Sequence, residues 1–213
     1  MLLDNVAGLK TVKGGHKVAS TDSAPRRAQE SSPMPALKQL FVLRHAKSSW
    51  DDPMLDDHDR PLAPRGLQAV KLVGEHIRES GMRPDQVLCS SSRRTRETLE
   101  AVAPGGETLI ERDLYDATCA DVIERLRRVP SGTGSVMIIG HNPTAQMLVL
   151  RLTGANGAEY ANGTKEPVGG DLAEVQRKFP TGALATLTFD CEWDELGPGC
   201  AELVAYVRPK SLG

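Results

Sequence analysis

Three short apolar runs in this chain stop abruptly on polar or cationic residues, and this repeated pattern constrains the fold more than any other feature. Leu40–Leu43 runs into Arg44-His45, Val87–Cys89 into Ser90 to Arg94, and Ser135–Gly140 into His141-Asn142. Apolar runs this short, bounded by turn or helix signals, suit strands covered on both faces. Segments of helical periodicity follow them. From Pro64 onward, Leu67, Val70, Val73 and Ile77 recur at helical spacing, Pro64 suits the first turn, and Gly81 with Pro84 ends the helix. Residues 93–103 and 120–129 also read as helices. Another is expected after the third run, with Asn142 as N-cap, Pro143 at the first helical position and Gly154 past the end. A short helix over 171–179 and two late strands over 183–189 and 201–207, possible antiparallel neighbours, complete the pattern. Alternating β and α elements predict an α/β fold: three layers, α/β/α, around a mostly parallel central sheet.

The 213 residues suit one such domain plus a tail. Residues 36–210 are assigned to the domain. Residues 1–35 are polar and aperiodic, and are expected to be a disordered N-terminal extension; Met34 is an alternative start. The beginning lacks the apolar region of a signal peptide. With 26 Lys+Arg against 28 Asp+Glu and 4% aromatic residues, the chain offers neither a global basic field nor a stacking platform for nucleic acid. No apolar run approaches the ~20 residues of a membrane helix. Cys89, Cys119, Cys191 and Cys200 form no CxxC pair, which suits a reducing cytoplasm. The Gly-rich connection 153–171 is a candidate mobile loop near a site, or an ordinary surface loop.

In open parallel sheets, ligands bind beyond the carboxyl ends of the strands. If the three runs are neighbours, two histidines and at least two arginines meet at one edge, beside helix N-termini that favour anions. A phosphoryl group carries about −1.5 to −2 charges and three acceptor oxygens. Arginine meets it with a planar fork of donors. A neutral imidazole can attack phosphorus and form a covalent phosphohistidine.

The motifs "LRHAKSSW", "DHDRPLAPRG", "LCSSSRRTRETLE" and "IIGHNP", in this order, resemble the histidine phosphatases, the phosphoglycerate mutase-like superfamily. Within it the SixA-type phosphohistidine phosphatase branch is the nearer likeness. The resemblance spans roughly Leu37 to Tyr206. It implies His45 as nucleophile, Arg44 and Arg94 as phosphate-binding arginines, and His141 as the second histidine on the phosphoryl group. Ser48 falls in the phosphate loop, and Asp51 where mutases carry an asparagine. It implies neither metal nor cofactor.

Two departures stand out. Ala46 replaces the glycine that usually follows the nucleophile. The mutase-like general acid has no clear counterpart: Asp116 is the nearest candidate, with Asp51 and Asp52 as rivals. Imidazole is an easy leaving group, its pKa being ~6.5, so a missing acid favours a phosphohistidine substrate over a sugar phosphate. The expected activity is therefore metal-independent phosphatase action on a phosphorylated protein. A small phosphomonoester substrate and a non-catalytic phosphate-binding docking module are the alternatives. No nucleic-acid or membrane partner is expected, and the oligomeric state is open. The acidic run Asp56–Asp59 reads as a solvated turn, and Arg60 and Arg65 as residues that organise the loop leading into the helix.

Overall fold

The computed structural model describes residues 37–155 and 170–213. The extension 1–35 and most of the Gly-rich connection lie outside the described residues. Among the described residues six strands and five α-helices follow in the order β1 (Lys38–Arg44), α1 (Pro64–Glu79), β2 (Gln86–Ser90), α2 (Arg93–Val102), β3 (Glu107–Glu111), α3 (Cys119–Leu126), β4 (Ser135–Gly140), α4 (Thr144–Leu152), α5 (Gly170–Arg177), β5 (Leu184–Phe189) and β6 (Glu202–Val207). They form one sheet in the order β3-β2-β4-β1-β5-β6. The first four strands run parallel, while β5 pairs antiparallel with β1, and β6 with β5. The sheet is thus mixed, with a parallel half that holds β1, β2 and β4 side by side, as the three apolar runs require.

Strand alternation explains the layers. Leu40 and Val42 of β1 point into one core with Leu148 and Leu152 of α4, whereas Phe41 and Leu43 point into a second core with Val70 and Val73 of α1. Strands buried on both faces therefore read as continuous apolar runs. The first core also takes in Trp193, whose indole N–H donates to the carbonyl of Thr133 at 2.7 Å.

The helix boundaries follow local signals in most places. Pro64 opens α1, and Thr118 caps α3 through a reciprocal box with Asp121. Asn142 departs from expectation. α4 starts at Thr144, the Asn142–Pro143 bond is cis, and no side chain caps the helix. The Asn142 amide NH2 instead donates to the Phe179 carbonyl at 3.1 Å, which fastens the β4–α4 junction to the segment before β5 and turns the side chain away from the helix start. Strand β3 adds an element that the sequence pattern does not signal: it lies at the sheet edge with Ile110 exposed, so it carries no apolar run. Among the described residues no helix is long and apolar enough to cross a membrane.

Candidate active site

His45 follows directly on β1. Its backbone N–H donates to Gly140 at the end of β4 (3.0 Å), and the N–H of Gly182 reaches the carbonyls of both Arg44 and His45 (3.1 Å each). Gly182 has φ +76°, a conformation that disfavours a side chain, and a Cβ there would lie 2.8 Å from the Pro209 ring. The nucleophile position is thus gripped by backbone from two directions.

The chain then turns back on itself. Ser48 pairs with Leu62, Ser49 N–H donates to Pro61, and Ala63 N–H donates to Lys47, both at 2.8 Å. Gly66 in the first turn of α1 permits this approach, because any Cβ there would lie 2.1 Å from the Lys47 carbonyl oxygen. On the other side, the hydroxyl of Thr98 in α2 accepts from the N–H of Ala46 (3.1 Å) and donates to the Arg94 carbonyl (2.7 Å).

Hydrogen bonds fix the tautomer of His45. Its Nδ1 lies 2.7 Å from the carbonyl oxygen of Ala46, which can only accept, so Nδ1 bears the proton and Nε2 keeps a free lone pair. The ring is buried, and burial, reinforced by the positive charges of Arg94 and Arg44, pushes its pKa down to about 3. The His141 ring stands 5.1 Å from that of His45, centroid to centroid. Its Nε2 is 2.8 Å from the Ser90 hydroxyl at the end of β2. Burial, then the positive charge of Arg94, pushes its pKa down to about 4. Both imidazoles are therefore neutral at neutral pH.

Two guanidinium groups flank the rings. Arg44 donates to the Phe179 carbonyl at 2.8 Å, its Nε is buried with no partner among the described residues, and burial beside Arg94 lowers its pKa. Arg94, buried at the start of α2, reaches His141 Nδ1 at 3.5 Å. It also donates to the backbone carbonyl of Asp57 and, at 2.8 Å, to the Asp57 carboxylate. The four residues Arg44, His45, Arg94 and His141 are gathered at the carboxyl ends of β1, β2 and β4.

The remaining candidates sit elsewhere. Ser48 is buried beneath the loop, where its hydroxyl accepts from Arg60 at 3.0 Å. Asp51 is exposed and accepts from the Ser49 hydroxyl at 2.7 Å. Asp52 is exposed and binds the Met54 N–H. Asp116 is exposed, one residue beyond Tyr115.

Three residues singled out for no site role join the cluster. The Asp57 carboxylate accepts from Arg94, from Tyr115 (2.6 Å) and from Arg60 (2.8 Å). This corrects the reading of Asp56–Asp59 as a merely solvated turn. The Tyr115 hydroxyl, then Arg94 and Arg60, hold the Asp57 carboxyl down at about 2. His58 binds the Ser91 hydroxyl through Nε2 at 2.9 Å, and the Tyr115 ring packs edge-on between it and His141, at 4.9 and 5.5 Å. Arg60 does organise the loop: it donates to Ser48, Ser49 and Asp57 and stacks 3.1 Å over the Trp50 ring.

Residues 40–118 match the model of the histidine phosphatase superfamily, branch 1. A solved structure from Nakamurella multipartitia, described as a candidate phosphohistidine phosphatase SixA, superposes with a TM-score of 0.70 at 29% identity, over 82% of this chain and 98% of that one. Over the matched residues the chain belongs to the histidine phosphatase superfamily. Histidine phosphatases of the SixA type recur among its relatives: phosphohistidine phosphatase SixA of Escherichia coli is 27% identical over 164 residues, 71% of this chain and 86% of that protein. An uncharacterized Mycobacterium tuberculosis protein, Rv1276c, is 36% identical over 169 residues, 79% of this chain and all of that protein.

Proposed function

We propose that this histidine phosphatase removes the phosphoryl group from protein phosphohistidine, without a metal ion, through a covalent intermediate on His45. The observation that carries the reading is the Nδ1–H of His45, bonded to the Ala46 carbonyl, which leaves Nε2 unprotonated beside His141 and two arginines. Nε2 attacks phosphorus as the bond from phosphorus to the substrate nitrogen breaks. The substrate imidazole leaves neutral when its other ring nitrogen is protonated, a step that asks little of a general acid. Arg44 and Arg94 hold the phosphoryl oxygens, and His141, once a phosphoryl dianion raises its pKa, donates to one of them. Because His45 keeps its Nδ1 proton, phospho-His45 is an imidazolium. Water then attacks phosphorus, and His45 departs as neutral imidazole.

The exposed position of Asp116 is consistent with a substrate that needs no strong acid. Four unpaired cysteines fit a reducing cytoplasm as the place of reaction.

Hydrolysis of a phosphohistidine peptide by wild type and His45→Ala, with EDTA present, tests the proposal beside a phosphoserine peptide and a sugar phosphate. Turnover of the phosphohistidine peptide alone, lost in the variant, is the expected result. Turnover of the sugar phosphate moves the function to small phosphomonoesters. Full activity in His45→Ala overturns the covalent mechanism, and phosphate binding without any turnover assigns a docking module.

A further inference from the structure

Asp57 places a carboxylate on the very arginine assigned to hold the phosphoryl group. Both terminal nitrogens of Arg94 serve this one residue, one through its backbone carbonyl and the other through Oδ2. Tyr115 donates to the same Oδ2 at 2.6 Å, and Arg60 to Oδ1 at 2.8 Å. The Arg94 side chain is 8% exposed, the Asp57 side chain 53%.

A half-exposed ion pair contributes little to stability, so folding alone gives a weak account of three donors converging on one carboxylate. Charge gives a better one. The guanidinium fork accepts carboxylate and phosphate by the same geometry. A carboxylate resting on Arg94 therefore shares the donors that a phosphoryl group uses, and repels its negative charge. The backbone carbonyl, unlike the carboxylate, orients the fork without adding a full charge.

We propose that Asp57 is a positioning residue that keeps the Arg94 fork in register and, by sharing it, weakens the pocket's hold on inorganic phosphate so that the product departs. The role in turnover rests on the phosphatase reading; the effect on phosphate affinity does not.

The experiment is calorimetric titration of inorganic phosphate into the full-length wild type and Asp57→Asn, with kcat, KM and product inhibition measured on the same preparations. Asp57→Asn keeps the backbone carbonyl on Arg94 and removes only the charge. The expected result is phosphate binding about tenfold tighter, the scale of removing one like charge a few ångströms from a partly screened site. KM and the inhibition constant for phosphate fall together, and kcat does not rise. A merely structural role predicts the reverse, weaker binding with a lowered melting temperature. Should Asp57→Asn fail to fold, Asp57→Ser carries the same expectation. Equal or weaker phosphate binding in a folded variant overturns the proposal, as does a wild type that binds no phosphate. A wild type that binds phosphate but hydrolyses none of the phosphorylated substrates sinks the phosphatase reading, while the titration still decides the effect of Asp57.

Discussion

The imidazoles of His45 and His141 stand 5.1 Å apart with their planes inclined at 55°, brought together from the ends of the paired strands β1 and β4. Among the described residues neither ring has a carboxylate within hydrogen-bonding distance, and burial beside arginines keeps both neutral.

That neutrality predicts acid sensitivity. The folded pKa values, about 3 and about 4, lie below the ~6.5 of an unfolded histidine. Below pH ~6.5 the unfolded chain therefore binds more protons than the native one, and stability falls as pH drops towards 4 and then 3. Urea unfolding across this range should show a steeper loss for wild type than for a His45→Gln, His141→Gln double variant. Equal slopes would show that the histidines are not the cause.

Arg94→Lys keeps the charge but replaces a planar fork by a point donor. The kcat/KM for a phosphohistidine peptide should fall at least tenfold or so, and by ~10²–10³ for Arg94→Ala. Steady-state kinetics decide this; a lysine variant with wild-type kcat/KM would mean that charge alone suffices.

Thr98→Val preserves shape and removes the hydroxyl that links Ala46 to Arg94. The buried N–H of Ala46 loses its partner, at a cost of about 1–3 kcal/mol. Urea denaturation should report that loss. Activity should drop with it, because the same hydroxyl ties the residue after the nucleophile to the helix bearing Arg94.

Gly66→Ala and Gly132→Ala form a matched pair. A methyl at Gly66 collides with the Lys47 carbonyl oxygen, whereas one at Gly132 meets nothing within 4 Å. The first should cost ~1–3 kcal/mol and impair catalysis by shifting the 45–49 segment. The second should be neutral or stabilise by ~0.4–1 kcal/mol. Thermal melts and activity assays on the two variants check both.

Sequence made legible whatever is encoded locally. Arg44, His45 and His141 announce themselves because each ends an apolar strand, and Arg94 because it opens a helix just after one. Asp57, His58 and Tyr115 carry no such signal. They join the cluster only when the loop before α1 folds over the start of α2, and a polar run such as Asp56–Asp59 looks the same whether solvent or an arginine receives it. The one available clue was Asp57 three residues before Arg60, a spacing that lets the two side chains pair. Asn142 misled for a related reason: its amide serves as a tertiary tie to Phe179, a use that no local pattern distinguishes from a cap.

The position of β1 gives the site two halves of unlike character. Because β1 is hydrogen-bonded on both edges, to β4 and to β5, exposing the His45 backbone means breaking the centre of the sheet. Amides there should exchange with solvent only as slowly as the whole fold opens. The opposite wall, with Asp57 and His58, is fastened mainly by side chains and lies at no strand pairing. Substitutions in that wall can reshape what the pocket admits while the attacking nitrogen stays where the sheet puts it.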